Sequence, residues 1–284
     1  MDKELLIKNI IGNVLEPEGF FYKGSDQICS EFFRRVKNKK GETIRQSVCI
    51  QNEYDERLIL FLDSAYSKRM MYDVDDIIPG YPGVEEHSFY YRNEEEFKEA
   101  IENYAHILKE YGILLLEELK EVQIPKDAFR DEDVERLYYQ HEQLVENLLK
   151  RENRKIEEFN VEEVAEFIEK RIEEVKEEPF HKVKELLLEL SGLFGAVANR
   201  FYPCEWEIKE YITLNCDLKF PEPKEIKYRW RDMCVMGILK RGWQSKRPKG
   251  ESRLRHKRVN NEGIEEELLL QYGYCTEHMK ILKE

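Results

Sequence analysis

The stretch that decides the fold of the first half of the chain is Ile44-Arg45-Gln46-Ser47-Val48-Cys49-Ile50-Gln51. Most of its apolar side chains fall on one parity and most of its polar side chains on the other. The apolar set is Ile44, Val48 and Ile50, and the polar set is Arg45, Ser47 and Gln51. Because successive side chains of a strand point to opposite faces of a sheet, this alternation predicts a β-strand with one buried face.

The segments on both sides predict further strands joined by short loops. Residues 20–23 predict a short strand, and 28–36 alternates imperfectly before a hairpin loop at 37–41. After a turn at 53–55, the run 58–62 is apolar on both faces and predicts a central strand. Four strands with short connections predict an antiparallel sheet, because parallel pairing needs long crossovers.

Two helices are predicted to accompany this sheet. Apolar residues recur at helical spacing over 2–15, and Pro17-Glu18-Gly19 ends that helix. Asn93 with Glu96 resembles a capping box at the start of the second helix, just after an expected edge strand at 88–91. The second helix carries an apolar stripe that we expect to lie wholly in the core. Its members are Phe97, Ile101, Tyr104, Leu108, Tyr111, Leu115 and Leu119.

From residue 131 the chain is predicted to be almost wholly helical. Residues 134–148 make one amphipathic face, Asn160 with Glu163 is a second capping signal, and 183–198 predicts a more buried helix. Four shorter predictions complete this half. They are a strand at 211–214, a helix at 226–241, a polar basic loop or arm at 242–261 and a short helix at 264–272.

These patterns together predict an α+β fold. A small antiparallel sheet of about four strands, packed by helices, is followed by a mainly α-helical C-terminal portion. We place the boundary near Gln123-Ile124-Pro125-Lys126, which gives domains of 1–124 and 125–284. The length of 284 residues suffices for one large or two ordinary cores, and 41% hydrophobic residues exclude a disordered chain.

The run Leu15-Glu16-Pro17-Glu18-Gly19-Phe20-Phe21-Tyr22-Lys23-Gly24, followed by a hairpin and Val48-Cys49-Ile50-Gln51, resembles the DUF4304 family of bacterial proteins of unknown function. In that family a strand with a Gly-Phe start and a nearby Lys follows an N-terminal helix, and an apolar–Gln strand end follows a hairpin. The resemblance covers residues 1–120, less than half of the chain. It implies an α+β fold and a bacterial source, but no activity and no catalytic residues.

The charge of the chain is distributed unevenly. Residues 227–258 hold twelve Lys and Arg against Asp232 and Glu251, a net charge of +10. Because the whole chain carries −13, the remainder carries −23. Such asymmetry indicates either an anionic partner or an internal electrostatic contact.

Ten residues of this basic segment are our candidates for binding an anion or a nucleic acid. They are Arg229, Trp230, Arg241, Trp243, Lys246, Arg247, Arg253, Arg255, Lys257 and Arg258. The cations would hold phosphates while the aromatic rings stack on bases. Two alternatives stay open: the tryptophans are core residues and the cations solvated, or the segment docks on 156–179, which contains ten Glu.

The cysteines and acidic clusters predict neither a metal site nor a cofactor. Six scattered cysteines without a Cys-x-x-Cys pair predict reduced thiols that act as small hydrophobic residues. Asp73, Asp75 and Asp76 lack an EF-hand pattern, and acidic residues at a turn or helix start explain them equally well.

The sequence also lacks a convincing set of catalytic residues. Asp217, Glu222 and Lys224 have the order used by metal-dependent nucleases, which need the Glu and the Lys on one strand. Pro223 stands between these two residues, and proline is poorly tolerated inside a strand ladder. His141 lacks the second histidine of a zinc-protease motif, because Val145 occupies that position.

We therefore predict a non-enzymatic cytoplasmic binding protein of the accessory or immunity type, whose acidic surface engages a protein partner. Nucleic-acid binding through the basic segment is the alternative, and a metal-dependent nuclease ranks third. The N-terminus opens with charged residues and no secretory segment. The most apolar run, 186–198, is too short to span a bilayer, so no membrane association is expected.

Overall fold

The computed structural model describes residues 2–25, 29–53, 56–69, 71–78, 88–201, 203–220, 232–245, 256–259 and 265–268. It confirms the α+β fold: a five-stranded antiparallel sheet with helices precedes a mainly helical region with a small hairpin. The chain divides into two compact units. Unit 1 is Met1–Pro125 with Tyr211–Thr213, and unit 2 is Lys126–Glu210 with Leu214–Glu284.

The sheet of unit 1 has its strands in sequence order, β1-β2-β3-β4-β5, and every neighbouring pair is antiparallel. The strands are β1 Phe21–Ser25, β2 Cys29–Lys37, β3 Thr43–Asn52, β4 Arg57–Ser64 and β5 Ser88–Tyr90. Ile44, Val48 and Ile50 are buried as predicted, but Arg45 and Ser47 are buried as well. Both residues lie on the middle strand of five, where residues of β2 and β4 flank them on either side.

One face of this sheet is covered by helices. Helix α1, Lys3–Leu15, begins after Asp2, whose carboxylate accepts a hydrogen bond from the Leu5 amide at 3.1 Å. Its buried residues join side chains of β2, β3 and β4 in one core cluster. The short helix α2, Val74–Ile77, follows β4. The turn from α1 into β1 passes through Gly19, whose φ of 82° favours glycine.

The second long helix of unit 1 is interrupted by a π-helical turn. It consists of α3 Glu94–Ile107, the π-turn Leu108–Gly112 and α4 Ile113–Leu119. The predicted stripe is buried as far as Leu108. Beyond it the prediction is wrong at Tyr111, which is 43% exposed, whereas Leu115 and Leu119 are half-buried and Leu116 is fully buried. A π-turn pairs residue i with i+5, which adds one residue to the turn and shifts the buried face by one position.

Unit 2 is built around helices. They are α5 Asp131–Glu152, α6 Val161–Glu174, α7 Phe180–Phe201 and α8 Val235–Gln244. The capping box that was predicted for α6 is present. The backbone N–H of Glu163 donates to the side-chain oxygen of Asn160 at 2.9 Å, and the backbone N–H of Asn160 donates to the Glu163 carboxylate at 2.8 Å. Helix α7 is buried on nearly every side between Leu186 and Ala198, as its apolar sequence predicted.

Several local predictions for unit 2 were wrong. Of the predicted strand 211–214, residues 211–213 form the turn between β6 Glu205–Glu210 and β7 Leu214–Lys219, and only Leu214 lies in a strand. Helix α8 starts only at Val235, after the short strand β8 Asp232–Met233. The predicted helix at 264–272 contains strand β10, Glu265–Leu268, which pairs with β9, His256–Val259. Pairing with a partner strand overrides the local helix propensity of glutamate and leucine.

Candidate interaction surfaces

The structure describes only part of the predicted anion-binding set. Arg241 is exposed and Trp243 is half-buried, both on α8. Lys257 and Arg258 are placed by their backbone in β9. The remaining candidates lie outside the described residues: Arg229, Trp230, Lys246, Arg247, Arg253 and Arg255.

Trp243 belongs to the hydrophobic packing of unit 2. Its indole N–H donates to the carbonyl oxygen of Val175 at 3.2 Å, just beyond the end of α6. Its ring centroid lies 5.7 Å from that of Phe180 at the start of α7. A half-buried indole with a satisfied N–H is accounted for by packing. Stacking of Trp243 on a base stays a prediction.

One cation of the basic segment has a carboxylate partner within unit 2. The ammonium of Lys240 lies 3.8 Å from a carboxylate oxygen of Asp127, which also accepts a 2.7 Å hydrogen bond from Gln244. Burial lowers the pKa of Lys240, and the Asp127 charge partly offsets that effect. The Lys240–Asp127 pair therefore neutralises part of the charge of the basic segment at α8.

The register of the β9–β10 hairpin places two more cations opposite glutamates. Lys257 is opposite Glu267 and Arg258 is opposite Glu266. This backbone pairing of β9 with β10 was not predicted from the sequence.

Some of the glutamates of 156–179, the predicted internal partner, pair with cations that lie close by. Glu158 pairs with Arg154 at 2.5 Å, and Glu178 pairs with Lys182 at 2.9 Å. Arg171 pairs with Glu174 and lies 3.1 Å from Glu152. Local pairing accounts for part of this acidic region.

A buried polar row crosses three strands of the unit 1 sheet and reaches α4. Arg34, Gln46 and Ser64 are direct neighbours on β2, β3 and β4. Arg34 donates to Gln46 at 2.9 Å, and Gln46 donates to the Leu116 carbonyl at 2.6 Å and to Ser64 at 3.2 Å. These bonds hold the C-terminal end of α4 against the sheet.

The same row ends in an ion pair at α4. Arg34 is buried and donates hydrogen bonds to Glu117 at 2.8 Å and to the Glu18 carbonyl at 2.9 Å. Its guanidinium carbon also lies 4.6 Å from the centroid of the Phe20 ring. The hydrogen bond from Lys120, and then that from Arg34, hold the pKa of Glu117 below its usual value. The buried guanidinium is therefore matched by several groups rather than by one.

Unit 2 contains an ion pair in which the acidic residue, rather than the basic one, is the buried member. Glu189, on the core helix α7, is 2% exposed and receives two hydrogen bonds from Arg151 of α5, at 2.9 and 2.5 Å. Here the buried member is the carboxylate. The two hydrogen bonds that Arg151 donates to Glu189 raise the pKa of Arg151.

The outer face of α3 and α4 combines apolar and acidic side chains. Leu114 is 63% exposed and Tyr111 is 43% exposed. Exposed glutamates accompany them along the helix. They are Glu94, Glu95, Glu99, Glu102, Glu110 and Glu118. This surface was not predicted from the sequence, because regular helical spacing places Tyr111 in the core. Gly112, a poor helix former inside a helical pattern, was the available signal.

Two of the cysteines correct the prediction of reduced thiols. Cys29 and Cys49 form a disulfide with a Cα–Cα distance of 6.2 Å. They occupy diagonal positions on β2 and β3, since Cys29 is opposite Gln51 and Cys49 is opposite Glu31. Their separation by 20 residues hid this proximity in the sequence. Cys216 is a free buried thiol, and burial raises its pKa to about 12.

The acidic cluster at 73–76 has a structural explanation. Asp73 accepts hydrogen bonds from the amides of Asp75 at 3.1 Å and Asp76 at 3.4 Å, which caps α2. Asp76 also pairs with Arg69. Within the described residues, no three His, Cys, Asp or Glu side chains are grouped as metal ligands. Asp217 lies on β7, whereas Glu222 and Lys224 of the nuclease hypothesis fall outside the described part of the chain.

No protein-family profile matches the chain, and neither does any of the curated proteins or solved structures compared. The resemblance of residues 1–120 to the DUF4304 family stays a prediction. No helix in the described part of the chain combines the length and apolar character needed to cross a membrane.

Proposed function

We propose that this protein is a non-enzymatic binding protein that engages a cationic protein partner through an acidic surface of unit 1. The observation that carries the proposal is the outer face of α3 and α4, which presents six exposed glutamates. The exposed basic residues along the same helix are Lys98, His106 and Lys109, and the ammonium of Lys98 lies 3.6 Å from the Glu102 carboxylate.

The charge of unit 1 supports the same conclusion. Residues 1–125 contain 25 Asp and Glu against 16 Lys and Arg, a net charge of −9. A surface of one sign attracts partners of the other sign, accelerates their encounter and repels partners of like charge. Nucleic acid, which is anionic, does not suit this surface.

The test measures binding of a fluorescently labelled peptide of alternating lysine and leucine at about 50 mM salt, where screening is weak. We expect the intact chain to raise the anisotropy of this peptide. Changing Glu99→Lys together with Glu102→Lys should weaken binding several-fold, and so should added salt.

A matched control reverses two exposed glutamates of α5 in unit 2, Glu142→Lys with Glu146→Lys. This variant has the same net charge as the α3 variant. If the two variants bind the peptide equally, net charge rather than the α3–α4 face governs binding, and the proposal fails. The absence of binding by the unchanged chain would also sink it.

Nucleic-acid binding through the basic segment is a second proposal, supported by the exposure of Arg241 on α8. It predicts electrophoretic retardation of DNA or RNA that fades steeply with salt. Changing Arg241, Arg253, Arg255 and Arg258 to Glu should abolish the shift. No shift by the unchanged chain at about 50 mM salt would exclude this role.

A further inference from the structure

We infer that Tyr111 and Leu114 form the apolar centre of the docking surface for a cationic amphipathic segment of another protein. This inference rests on the proposed function and adds the location and chemistry of the contact. The docking surface comprises Tyr111 and Leu114 with their acidic neighbours Glu110, Glu117 and Glu118. Its occupant is a segment that presents an apolar side chain between lysines or arginines.

The π-turn is the reason that these apolar side chains face water. In an uninterrupted helix, Tyr111 would continue the buried stripe of Phe97, Ile101, Tyr104 and Leu108. The extra residue of the π-turn instead buries Gly112 and Leu116 and leaves Tyr111 outside. Such turns are rare and occur frequently at functional sites. The two exposed residues are three positions apart, so they adjoin on one side of the helix.

The docking surface is held rigidly by the sheet beneath it. The Leu116 carbonyl accepts from Gln46 at 2.6 Å, the Leu119 carbonyl accepts from Ser64 at 3.5 Å, and Glu117 pairs with Arg34. The surrounding helix therefore needs little ordering when a partner binds. A preorganised surface loses less conformational entropy on association, which favours affinity.

The charges around Leu114 select the kind of partner. Glu110 lies four residues before Leu114, and Glu117 and Glu118 lie three and four residues after it, so all three are its neighbours on the helix. Glu110 and Glu118 are exposed, whereas Glu117 is half-buried and already paired with Arg34 and Lys120, so the two exposed carboxylates supply the charge for a partner. A second copy of the chain would bring these carboxylates against each other, which disfavours self-association. A cationic segment would place its charges beside them and its apolar side chain on Leu114.

The experiment compares the full-length variants Leu114→Ser and Tyr111→Ser with Leu5→Ser. Leu5 is a suitable control, because it is 51% exposed on α1 of the same unit. Two labelled peptides serve as probes: the alternating lysine–leucine peptide and an all-lysine peptide of equal charge. We expect Leu114→Ser to lower the affinity for the lysine–leucine peptide about tenfold, as the loss of an apolar interface residue does. The affinity for the all-lysine peptide should not change. Leu5→Ser should change neither.

Each outcome decides between the two proposals. If Leu114→Ser and Leu5→Ser bind the lysine–leucine peptide equally, the inferred docking surface is wrong, while an effect of Glu99→Lys with Glu102→Lys would keep the proposed function. If neither peptide binds the unchanged chain at about 50 mM salt, both proposals fail. If sedimentation shows a dimer that Leu114→Ser dissociates, the occupant is a second copy and the cationic partner is excluded.

Discussion

The two long core helices of the molecule differ in how much of their surface is buried. In unit 2, α7 runs without interruption and is buried nearly all round over 186–198. In unit 1, α3 and α4 are separated by the π-turn, and the helix keeps an exposed side that bears Tyr111 and Leu114. The difference shows that apolar spacing predicts burial only where the helical period is regular.

Each helix is also tied to its unit by an ion pair, with the buried member reversed. At α4 the buried charge is Arg34 of the sheet, and Glu117 on the helix is 39% exposed. At α7 the buried charge is Glu189 on the helix, and Arg151 is 48% exposed. Arg34 has further acceptors in Gln46 and the Glu18 carbonyl. Glu189 receives its two bonds from a single guanidinium.

The largest expected effect comes from breaking the pair at α7. Arg151→Ala leaves the carboxylate of Glu189 buried without that cation, and should cost about 3 kcal/mol in the free energy of unfolding. Glu117→Ala leaves Arg34 with its other partners and should cost about 1 kcal/mol. Urea denaturation of the two variants measures both changes. Equal losses would contradict the distinction between single and shared partners.

The glycines of the two helices provide a second, smaller contrast. A Cβ at Gly195 of α7 would lie 2.3 Å from the indole ring of Trp206. Gly195→Ala should therefore cost about 2 kcal/mol, because the ring or the helix must move. A Cβ at Gly112 meets the end of the Leu108 side chain at 3.0 Å, and that group can rotate away.

We accordingly expect Gly112→Ala to change the free energy of unfolding by less than about 1 kcal/mol, since the gain in helix propensity offsets the crowding. Thermal unfolding followed by circular dichroism compares the two alanine variants. A loss at Gly112 as large as that at Gly195 would show that the π-turn is as tightly packed as α7.

The smallest effect concerns a carboxylate of unit 1 whose pKa is shifted in the opposite direction to that of Glu117. Burial, and secondarily the charge of Glu31, raises the pKa of Asp63 on β4 from 3.8 to about 6. The folded state therefore binds this proton more tightly than the unfolded state. The resulting stabilisation is present below pH 3.8 and is lost as the pH rises through about 6.

Asp63→Asn removes that titration. At pH 7.5 the variant should be more stable than the unchanged chain by about 1 kcal/mol, a value reduced for residual hydration of the half-buried carboxylate. The difference should disappear near pH 4. Urea denaturation over this pH range checks the sign, and a variant that is less stable at pH 7.5 would show that the ionised carboxylate stabilises the fold.

The sequence predicted those parts of the fold that depend on local periodicity. The alternation at Ile44, Val48 and Ile50, the buried run of α7 and the capping residues Asn93 and Asn160 all correspond to the structure. The pairing of β9 with β10 was not predicted, because cross-strand pairing is a non-local interaction and Glu265-Glu266-Glu267 has no strand signature of its own.

The candidate interaction surfaces were harder to predict from the sequence, because they too depend on contacts and backbone geometry that local patterns do not show. The basic segment is conspicuous in composition, but Lys240 is matched by Asp127, which lies more than a hundred residues earlier in the chain. The docking surface is inconspicuous in composition, since the run Ile113-Leu114-Leu115-Leu116 offers no indication of which leucine is exposed. The π-helical turn at 108–112 determines which of these leucines is exposed.

The π-turn also marks the point where this helix could lose one residue without turning its buried face away from the sheet. Because the turn holds one residue more than an α-helical turn, deleting a single residue between Leu108 and Gly112 would restore a continuous period. The buried positions before and after the turn would then follow one α-helical stripe, and Gly112 and Leu116 would still face the sheet. A homologue without the turn would align with this chain only through a one-residue gap inside a helix, where insertions and deletions are seldom tolerated. The position of such a gap would serve as an evolutionary marker for the exposed face.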